Sequence, residues 1–368
     1  MEEKKVTRGQ QEIREMVMAK GLCTGCGACI NLCPYYRSHR GKTAVLFPCT
    51  VENGRCFAFC PKVEVDLDAL SSFLFGTTYE ASPLGSYRAI VTARGGEKMK
   101  GVKAQAGGTV TSLIYYALRK GFISGAVLTD REGLLPVPKY VKTPEEVLKC
   151  AQSKYSAAPT LASLNEAVEK GANNIGVVGT PCQILATGQM KMYKDSYPIG
   201  LVVGLFCTWA VDYRQFEPFV AERIEIGRIS KVDIPPPPAE ILQVFSDNGT
   251  TMEVPLSEIR PLVPTGCLYC IDMTSEFSDI SVGVLEGRPD MNTLIIRTER
   301  GQELVAEAVK DGYLFIQEMP RENLEHLIWA AGNKKSRGLK RALEENLINV
   351  EPLSYLRLNG ETLNRLIA

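Results

Sequence analysis

The stretch from residue 23 to residue 34 reads Cys23-Thr-Gly-Cys-Gly-Ala-Cys-Ile-Asn-Leu-Cys-Pro34. Its spacing, Cys-x2-Cys-x2-Cys-x3-Cys-Pro, is typical of a run that binds a 4Fe-4S cube. The thiolates surround the cube in a tight loop, and Gly25 and Gly27 remove side chains where the backbone must turn closely. A zinc knuckle, the alternative, normally uses paired Cys-x2-Cys steps. The run therefore predicts an iron-sulfur cluster.

A second cluster is expected, because in bacterial ferredoxins with two clusters the fourth cysteine of each run ligates the other cluster. Further along the chain, Cys49, Cys56 and Cys60 form a degenerate run, Cys-x6-Cys-x3-Cys-Pro. We assign the first cluster to Cys23, Cys26, Cys29 and Cys60. We assign the second cluster to Cys33, Cys49 and Cys56, which leaves it one ligand short.

Three explanations of the missing ligand remain open. The second site holds a 3Fe-4S cluster, or it takes an oxygen, nitrogen or distant sulfur ligand, or it is absent and its thiols are structural. His39 is close enough in sequence to be a candidate ligand, although a solvated loop histidine is the more ordinary role for it.

Five of the twelve cysteines lie outside these runs: Cys150, Cys182, Cys207, Cys267 and Cys270. Cys182 and Cys207 each follow an apolar run of strand length, so both thiols are expected at one edge of a sheet. Cys267 and Cys270 follow a turn-rich segment that could bring them to that edge. From the residues alone, a four-thiolate site and buried free cysteines both remain possible.

From residue 86 onward, apolar strand-like runs alternate with helix-like stretches, which predicts an α/β body. The predicted strands are 87–93, 125–129, 174–178, 198–206 and 293–297. Two glycine turns at helix starts, around Gly107 and Gly179, are either pyrophosphate seats or plain turns. No Gly-x-Gly-x-x-Gly follows a strand, so a Rossmann site for a nicotinamide dinucleotide is not predicted.

Composition excludes several function classes. The 42 Lys and Arg residues balance 42 Asp and Glu residues, so no excess of positive charge indicates a nucleic-acid partner. The N-terminus is charged where an export signal would be apolar, and twelve thiols without such a signal indicate a cytoplasmic protein. The longest apolar stretch, residues 197–211, is shorter than the roughly 20 residues of a membrane span. Only two histidines are present, too few to favour a histidine-based catalytic site.

Seven blocks in order resemble one family, the beta subunits of coenzyme F420-reducing hydrogenase and of formate dehydrogenase. The blocks are Ala104–Gly108, Gln152–Tyr155, Gly179–Gln183, Phe206–Cys207, Cys267–Cys270, Asp279–Gly283 and Ile295–Gly301. The resemblance implies an FAD bound outside a Rossmann fold and a 4Fe-4S cluster beside it. It also implies hydride exchange between the flavin and a two-electron carrier, with coenzyme F420 favoured over NAD(P)H.

Carried over by position, the resemblance assigns site residues but no catalytic residue. The cluster ligands become Cys182, Cys207, Cys267 and Cys270. The FAD-binding residues become Gln105, Ala106, Gly107, Gly108, Thr109, Thr111, Ser153, Lys154, Tyr155, Gly179 and Thr180. Cys150 is assigned to the flavin pocket or the core.

The expected fold class is therefore α+β or α/β, with two or three iron-sulfur clusters. Residues 1–78 form a bacterial ferredoxin-like 4Fe-4S domain, residues 79–320 an α/β flavin-binding body without a Rossmann fingerprint, and residues 321–368 a C-terminal helical extension with solvated faces. The chain would pass single electrons to a heterodisulfide reductase-, formate dehydrogenase- or hydrogenase-type partner. The alternatives are an NAD(P)H-linked version and a flavin-free electron-transfer or scaffold subunit.

Overall fold

The structure is a computed structural model that describes residues 8–193, 197–236 and 239–368. The expectation that the chain lacks an export signal rests mainly on residues 1–7, which lie outside the described residues. Within the described residues, no helix combines the length and the apolar character needed to cross a membrane.

The N-terminal segment contains little regular structure, because its cysteine runs lie in loops. Its elements are α1 (Gln10–Glu12), continued by a π-helical stretch (Ile13–Met18), β1 (Tyr36–His39), β2 (Lys42–Val45), α2 (Arg55–Ala58), β3 (Val65–Asp66) and α3 (Leu67–Phe75). Gly25 and Gly27 have positive φ angles of 68° and 88°. A Cβ atom at Gly25 would overlap the backbone of Gly41, and one at Gly27 would overlap the backbone of Pro159. Both glycines are therefore required for the close approach of this loop to its neighbours.

The body of the chain alternates strands and helices. Its elements are β4 (Ala89–Gly95), α4 (Thr109–Arg119), β5 (Gly125–Glu132), β6 (Leu135–Val141), α5 (Pro144–Lys149), α6 (Thr160–Glu169), β7 (Ile175–Gly179), α7 (Pro181–Met192), β8 (Ile199–Leu205), α8 (Tyr213–Ala221), β9 (Ile229–Asp233), β10 (Ile241–Ser246), β11 (Thr251–Pro255), α9 (Leu256–Ile259), α10 (Thr265–Leu268), β12 (Ile280–Leu285), β13 (Arg288–Ile296), α11 (Glu299–Lys310) and β14 (Leu314–Glu318). All five predicted strands overlap observed strands, and the α/β prediction for the body is confirmed.

An eight-stranded mixed sheet organises the body in the order β14-β4-β13-β12-β8-β7-β5-β6. Strands β5, β7, β8 and β12 are parallel to one another, so their carboxyl ends meet at one edge of the sheet. Strands β9, β10 and β11 form a separate antiparallel sheet with its own apolar core. The parallel edge is where the ends of β7 and β8 bring their cysteines.

The C-terminal segment comprises α12 (Arg321–Glu344), β15 (Leu356–Arg357) and α13 (Gly360–Ile367). Strand β15 pairs in parallel with β3 of the N-terminal segment. The charged side chains of the amphipathic helix α12 are expected on solvated faces, but two of them, Lys334 and Lys335, are only 5% and 1% exposed. Backbone carbonyls and a buried carboxylate accept their hydrogen bonds, which offsets part of the desolvation of the two ammonium groups.

One apolar core joins the N-terminal segment, the body and the C-terminal segment. It includes Phe59, Leu161, Ile184, Leu339 and Leu356, all fully buried. Burial of a side chain of this size contributes roughly 1.5–3 kcal/mol. The N-terminal cysteine loops are therefore packed onto the body rather than tethered to it.

Candidate functional site

The first thiol group lies in the N-terminal segment around a cavity with an empty volume of ≈390 Å³. The cavity is lined by Cys23, Cys26, Cys29, Cys56 and Cys60. Burial raises the pKa of Cys60 to about 12, and the charge of Cys23 adds to the rise. The hydroxyl of Thr24, also in the lining, is buried without a hydrogen-bond partner. Metal coordination would hold these thiols as thiolates despite their burial.

The second thiol group consists of Cys33, Cys49 and Cys56, and Cys56 also lines the cavity of the first group. Burial raises the pKa of Cys56; the nearby hydroxyl of Tyr36 opposes the rise, and the charges of Cys33 and Cys49 add to it. His39 lies exposed at the end of β1, opposite Lys42 across the hairpin. The structure thus brings the three predicted cysteines together and places Tyr36, rather than His39, against one of them.

The third thiol group lies at the carboxyl edge of the parallel strands. Cys182 is in the first turn of α7 directly after β7, and Cys207 follows β8. The Cys207 amide donates to the Met273 carbonyl at 2.9 Å, which brings in the loop after Cys270. Burial raises the pKa of Cys207; the ammonium group of Lys334 lowers it, and the charges of Cys267, Cys270 and Cys182 raise it. The four predicted cysteines are therefore neighbours.

Two buried lysines accompany the third thiol group. Lys334 Nζ donates to the carbonyls of Cys207 at 2.6 Å and Asp272 at 2.8 Å. Lys62, 3% exposed, donates from Nζ to Tyr355 Oη at 2.9 Å. Among the described residues, neither lysine forms an ion pair with Asp or Glu. Burial lowers the pKa of Lys334, but the charges of Cys270, Cys207 and Asp272 outweigh burial and raise it. A buried ammonium is costly unless negative charge lies nearby, so both lysines fit an anionic cluster held by the thiolates.

The raised pKa of Lys62 also indicates negative charge at the third thiol group. Burial lowers the pKa of this lysine, but the Tyr355 oxygen and the thiolates of Cys270 and Cys182 outweigh burial and raise it. Negative charge at the third thiol group therefore stabilises the ammonium form. Within the described residues, no three His, Cys, Asp or Glu side chains are close enough to hold a single metal ion. A cube binds each thiolate at a different iron, so its ligands are spaced more widely than those of one zinc ion.

The three thiol groups form a continuous series. Burial raises the pKa of Cys26 in the first group, and the charge of Cys182 in the third group adds to this rise. The charge of Cys56 contributes in the same sense at Cys29, which links the first group to the second. Near Cys49, the side chains of Leu46, Phe47 and Val51 are exposed. The series therefore runs from the sheet edge to the surface of the N-terminal segment.

A polar pocket holds one of the three stretches that the resemblance assigned to FAD, residues 153–155, and Gln105 forms hydrogen bonds to that stretch. Gln105 Oε1 accepts from the Ser153 amide at 2.9 Å, and Gln105 Nε2 donates to Tyr155 Oη at 2.9 Å and to Asp233 Oδ1 at 2.7 Å. The pocket has an empty volume of ≈320 Å³. Its lining includes Arg131, Ser153, Lys154, Tyr155 and Phe216. Gln105 thus connects the 105 turn to the 153–155 stretch.

Lys154 is a half-buried cation of this pocket. Its Nζ donates to the carbonyls of residues 150, 151 and 152 at 2.6, 2.9 and 2.9 Å. Burial lowers the pKa of Lys154 to about 8; the charges of Cys150 and Asp130 oppose the shift, and that of Arg131 adds to it. Cys150 therefore lies beside Lys154 and packs against the body core. Two cations, Lys154 and Arg131, suit a ligand that carries phosphates.

The other predicted flavin residues lie at two helix starts. Ala106, Gly107, Gly108, Thr109 and Thr111 span the turn into α4, where a Cβ at Gly107 would overlap Asn292. The Thr109 hydroxyl is buried without a hydrogen-bond partner, as expected of a group that awaits a ligand.

Gly179 and Thr180 end β7 and cap α7 beside Cys182, and they are not in the lining of the pocket. The Thr180 amide already donates to Gln183 Oε1 at 2.8 Å. This turn lies next to the third thiol group.

Five site residues were missed from the sequence: Tyr36, Lys62, Arg131, Asp233 and Lys334. Lys62 carries a local signal, because it directly follows the Cys-Pro step of the second run. The others carry none, since their partners lie far away in the chain.

The chain matches two models of one protein family and several named relatives. Residues 90–165 match the family model "Coenzyme F420 hydrogenase/dehydrogenase, beta subunit N-term", and residues 172–322 match the model of the C terminus of the same subunit. The coenzyme F420 hydrogenase subunit beta of Methanosarcina barkeri is 33% identical over 62% of this chain and 81% of that protein. The coenzyme F420-dependent sulfite reductase of Methanocaldococcus jannaschii is 30% identical over 80% of this chain and 47% of that protein.

A solved structure agrees with the sequence relatives. A chain of the F420-reducing [NiFe] hydrogenase complex from Methanosarcina barkeri superposes with a TM-score of 0.67 at 30% identity. The match covers 71% of this chain and 93% of that chain. The similarity therefore extends from sequence blocks to the arrangement of the body.

Proposed function

The chain belongs to the family of coenzyme F420 hydrogenase/dehydrogenase beta subunits, and from this membership we propose that it is an F420-linked oxidoreductase subunit. In this proposal it is an iron-sulfur flavoprotein that exchanges a hydride between FAD and F420. It passes electrons singly through 4Fe-4S clusters to a partner redox enzyme. Its N-terminal segment acts as a ferredoxin-like module fused to the family body.

The observation that carries the proposal is the continuous series of three thiol groups. One group adjoins the sheet edge, the next lies in the N-terminal cavity, and the last lies near exposed side chains. A binding module would not need such a series. A path for single electrons from a buried hydride site to a partner does need one.

Bound FAD would supply the exchange between a hydride and single electrons, because a flavin handles both. The electron count balances. One reduced F420 becomes one oxidised F420, two protons enter solvent, and two electrons pass one at a time to an iron-sulfur acceptor in the partner. The reverse direction obeys the same balance.

The polar pocket would contribute binding and orientation. Gln105 fixes the Ser153 amide and the Tyr155 hydroxyl relative to each other, which leaves a preformed polar wall. Lys154 and Arg131 would pair with the phosphates of FAD. Outside the pocket lining, at the turn into α4, Thr109 has a buried hydroxyl without a hydrogen-bond partner. None of these groups needs to react, so the chain holds the cofactor while the cofactor does the chemistry.

F420 is favoured over NAD(P)H as the carrier for two reasons. No Gly-x-Gly-x-x-Gly follows a strand in this chain, and the named relatives are F420 enzymes. Partners of the heterodisulfide reductase, formate dehydrogenase or hydrogenase type remain part of the proposal.

Metal, sulfide and flavin stoichiometry of protein purified without oxygen tests the proposal. We expect eight to twelve irons per chain if two or three cubes assemble, and a flavin band near about 450 nm that acid releases. Reduced F420 should bleach this band, and NADPH should not. Iron without flavin would support a simple electron-transfer subunit, and zinc without iron would refute both functions.

A further inference from the structure

Lys62 lies between the first and third thiol groups. It is part of the lining of the cavity that contains Cys23, Cys26, Cys29 and Cys60. Its Nζ donates to Tyr355 Oη at 2.9 Å, and Tyr355 Oη donates to the Tyr269 carbonyl at 3.3 Å. Tyr269 is within the Cys267–Cys270 loop. Two hydrogen bonds thus connect this ammonium to the backbone that carries two thiols of the third group.

Lys62 is buried and has no carboxylate partner among the described residues. The side chain is 3% exposed, its Nζ lies 4.4 Å from the centroid of the Tyr355 ring, and within the described residues it forms no ion pair with Asp or Glu. An ammonium in such a place is expensive unless negative charge lies nearby. The thiol groups on its two sides are the available source of that charge.

We propose that Lys62 is an electrostatic bridge that stabilises the reduced forms of both the first N-terminal cluster and the third cluster. The inference rests on the proposed function, because it requires both clusters. An added electron makes either cluster more negative, so a fixed cation between them favours reduction of each. No bond forms or breaks in the step that it assists: one electron leaves one cluster and enters the other, and Lys62 stays protonated.

The size of the effect follows from Coulomb's law. At a spacing of about 10 Å and an effective dielectric constant of about 20, one unit charge changes an equilibrium by roughly tenfold or more. Removal of the charge should therefore lower the ratio of reduced to oxidised cluster about tenfold at a fixed applied potential, which is about 59 mV for one electron. Because Lys62 faces both clusters, both should shift together.

The experiment is a redox titration of the full-length holoprotein, followed by electron paramagnetic resonance, for wild type, Lys62→Met and Lys62→Arg. In Lys62→Met we expect the ratio of reduced to oxidised cluster at a fixed potential to fall tenfold at both clusters. In Lys62→Arg, which keeps the charge, this ratio should change less than twofold. Lys20→Met is the matched control, because Lys20 is exposed close to Cys23 in the sequence and its charge is screened. Iron content and circular dichroism accompany each titration.

Two further variants keep the inference falsifiable. Tyr355→Phe removes the hydrogen bond of Lys62 but not its charge. The ratio of reduced to oxidised cluster at a fixed potential should therefore change less than twofold, and a tenfold change in this variant would overturn the proposal. Loss of iron from both Lys62→Met and Lys62→Gln would assign Lys62 to cluster assembly and would also overturn it. Unchanged potentials in iron-loaded Lys62→Met would refute the bridge alone, whereas a wild-type protein without iron would refute the proposed function.

Discussion

The buried ion pair between Lys335 and Glu276 offers the sharpest test of how the site is held. Lys335 Nζ lies 2.7 Å from Glu276 Oε1, and the two side chains are 1% and 2% exposed. Lys335 also donates to Tyr79 Oη at 2.9 Å and to the Ser82 carbonyl at 2.7 Å. Tyr79 in turn donates to Glu276 Oε2 at 2.9 Å. This network fastens α12, which carries Lys334, to the loop after Cys270.

The perturbation is Lys335→Met, which leaves Glu276 buried without its cation. Removal of one partner of a buried pair typically costs about 3–5 kcal/mol, because the remaining charge is uncompensated. We therefore expect the free energy of unfolding to fall by that amount at pH 8. Lys335→Met combined with Glu276→Gln should recover at least half of the loss, since Gln removes the charge and still accepts from Tyr79.

The loss should also depend on pH. Burial raises the pKa of Glu276 above its ordinary value even though Lys335 opposes the rise, and removal of Lys335 must raise it further. The folded variant then binds more protons than the unfolded chain, so its stability falls as the pH rises from the unfolded pKa towards the folded one. The cost of Lys335→Met should accordingly be smaller at pH 6 than at pH 8.

Urea unfolding followed by circular dichroism measures these changes. Arg321→Met is the matched control, because the Arg321–Glu325 pair lies on the same helix at the same 2.7 Å distance but is 90% and 61% exposed. The free energy of unfolding of Arg321→Met should fall by less than about 0.5 kcal/mol. A loss in Lys335→Met as small as that of Arg321→Met, or one that grows as the pH falls, would refute the reasoning.

Three other variants address the thiol groups and the polar pocket. Cys182→Ser should lose about four irons per chain in a colorimetric iron assay, whereas Cys150→Ser, whose thiol packs against the body core, should lose none. Cys33→Ser should remove the resonance signal of the second N-terminal cluster and His39→Ala should keep it; the opposite result would make the histidine a ligand. Because the pKa of Lys154 is lowered to about 8, FAD affinity measured by flavin fluorescence should fall roughly five- to tenfold between pH 7 and pH 9, as the ammonium loses its charge. Lys154→Arg should abolish this dependence.

The parts of the site that sequence predicts are those set by local spacing and by strand direction. The Cys23–Cys33 run places its four thiols in one short loop, so its spacing alone was enough to predict a cluster site there. Cys182 and Cys207 follow strands β7 and β8, and parallel neighbours end at the same edge. The prediction that both thiols meet there therefore needed only the two apolar runs.

Other parts depend on contacts that no local pattern encodes. Strand β6 carries Pro136 and Pro138, which break a strand signal, yet it forms because it is the edge of the sheet and proline is tolerated there. Lys334 resembles any charged residue of an amphipathic helix, and its partners lie 127 and 62 residues away. Lys62 and Tyr355 are separated by 293 residues. Long-range pairs of this kind are invisible until the chain is folded.

The C-terminal segment fixes the geometry on which electron transfer would depend. Strand β15 adds to β3 immediately after the second cysteine run, and Arg357 forms a bidentate pair with Glu64 at 3.0 and 3.1 Å. Tyr355, on the same segment, holds Lys62. If the N-terminal segment were flexibly tethered, the distances between its thiols and those at the sheet edge would vary. The contacts of the C-terminal segment fix these distances. Because a site is only as precise as the shell that supports it, the C-terminal segment would be as necessary to the proposed redox path as the cysteines.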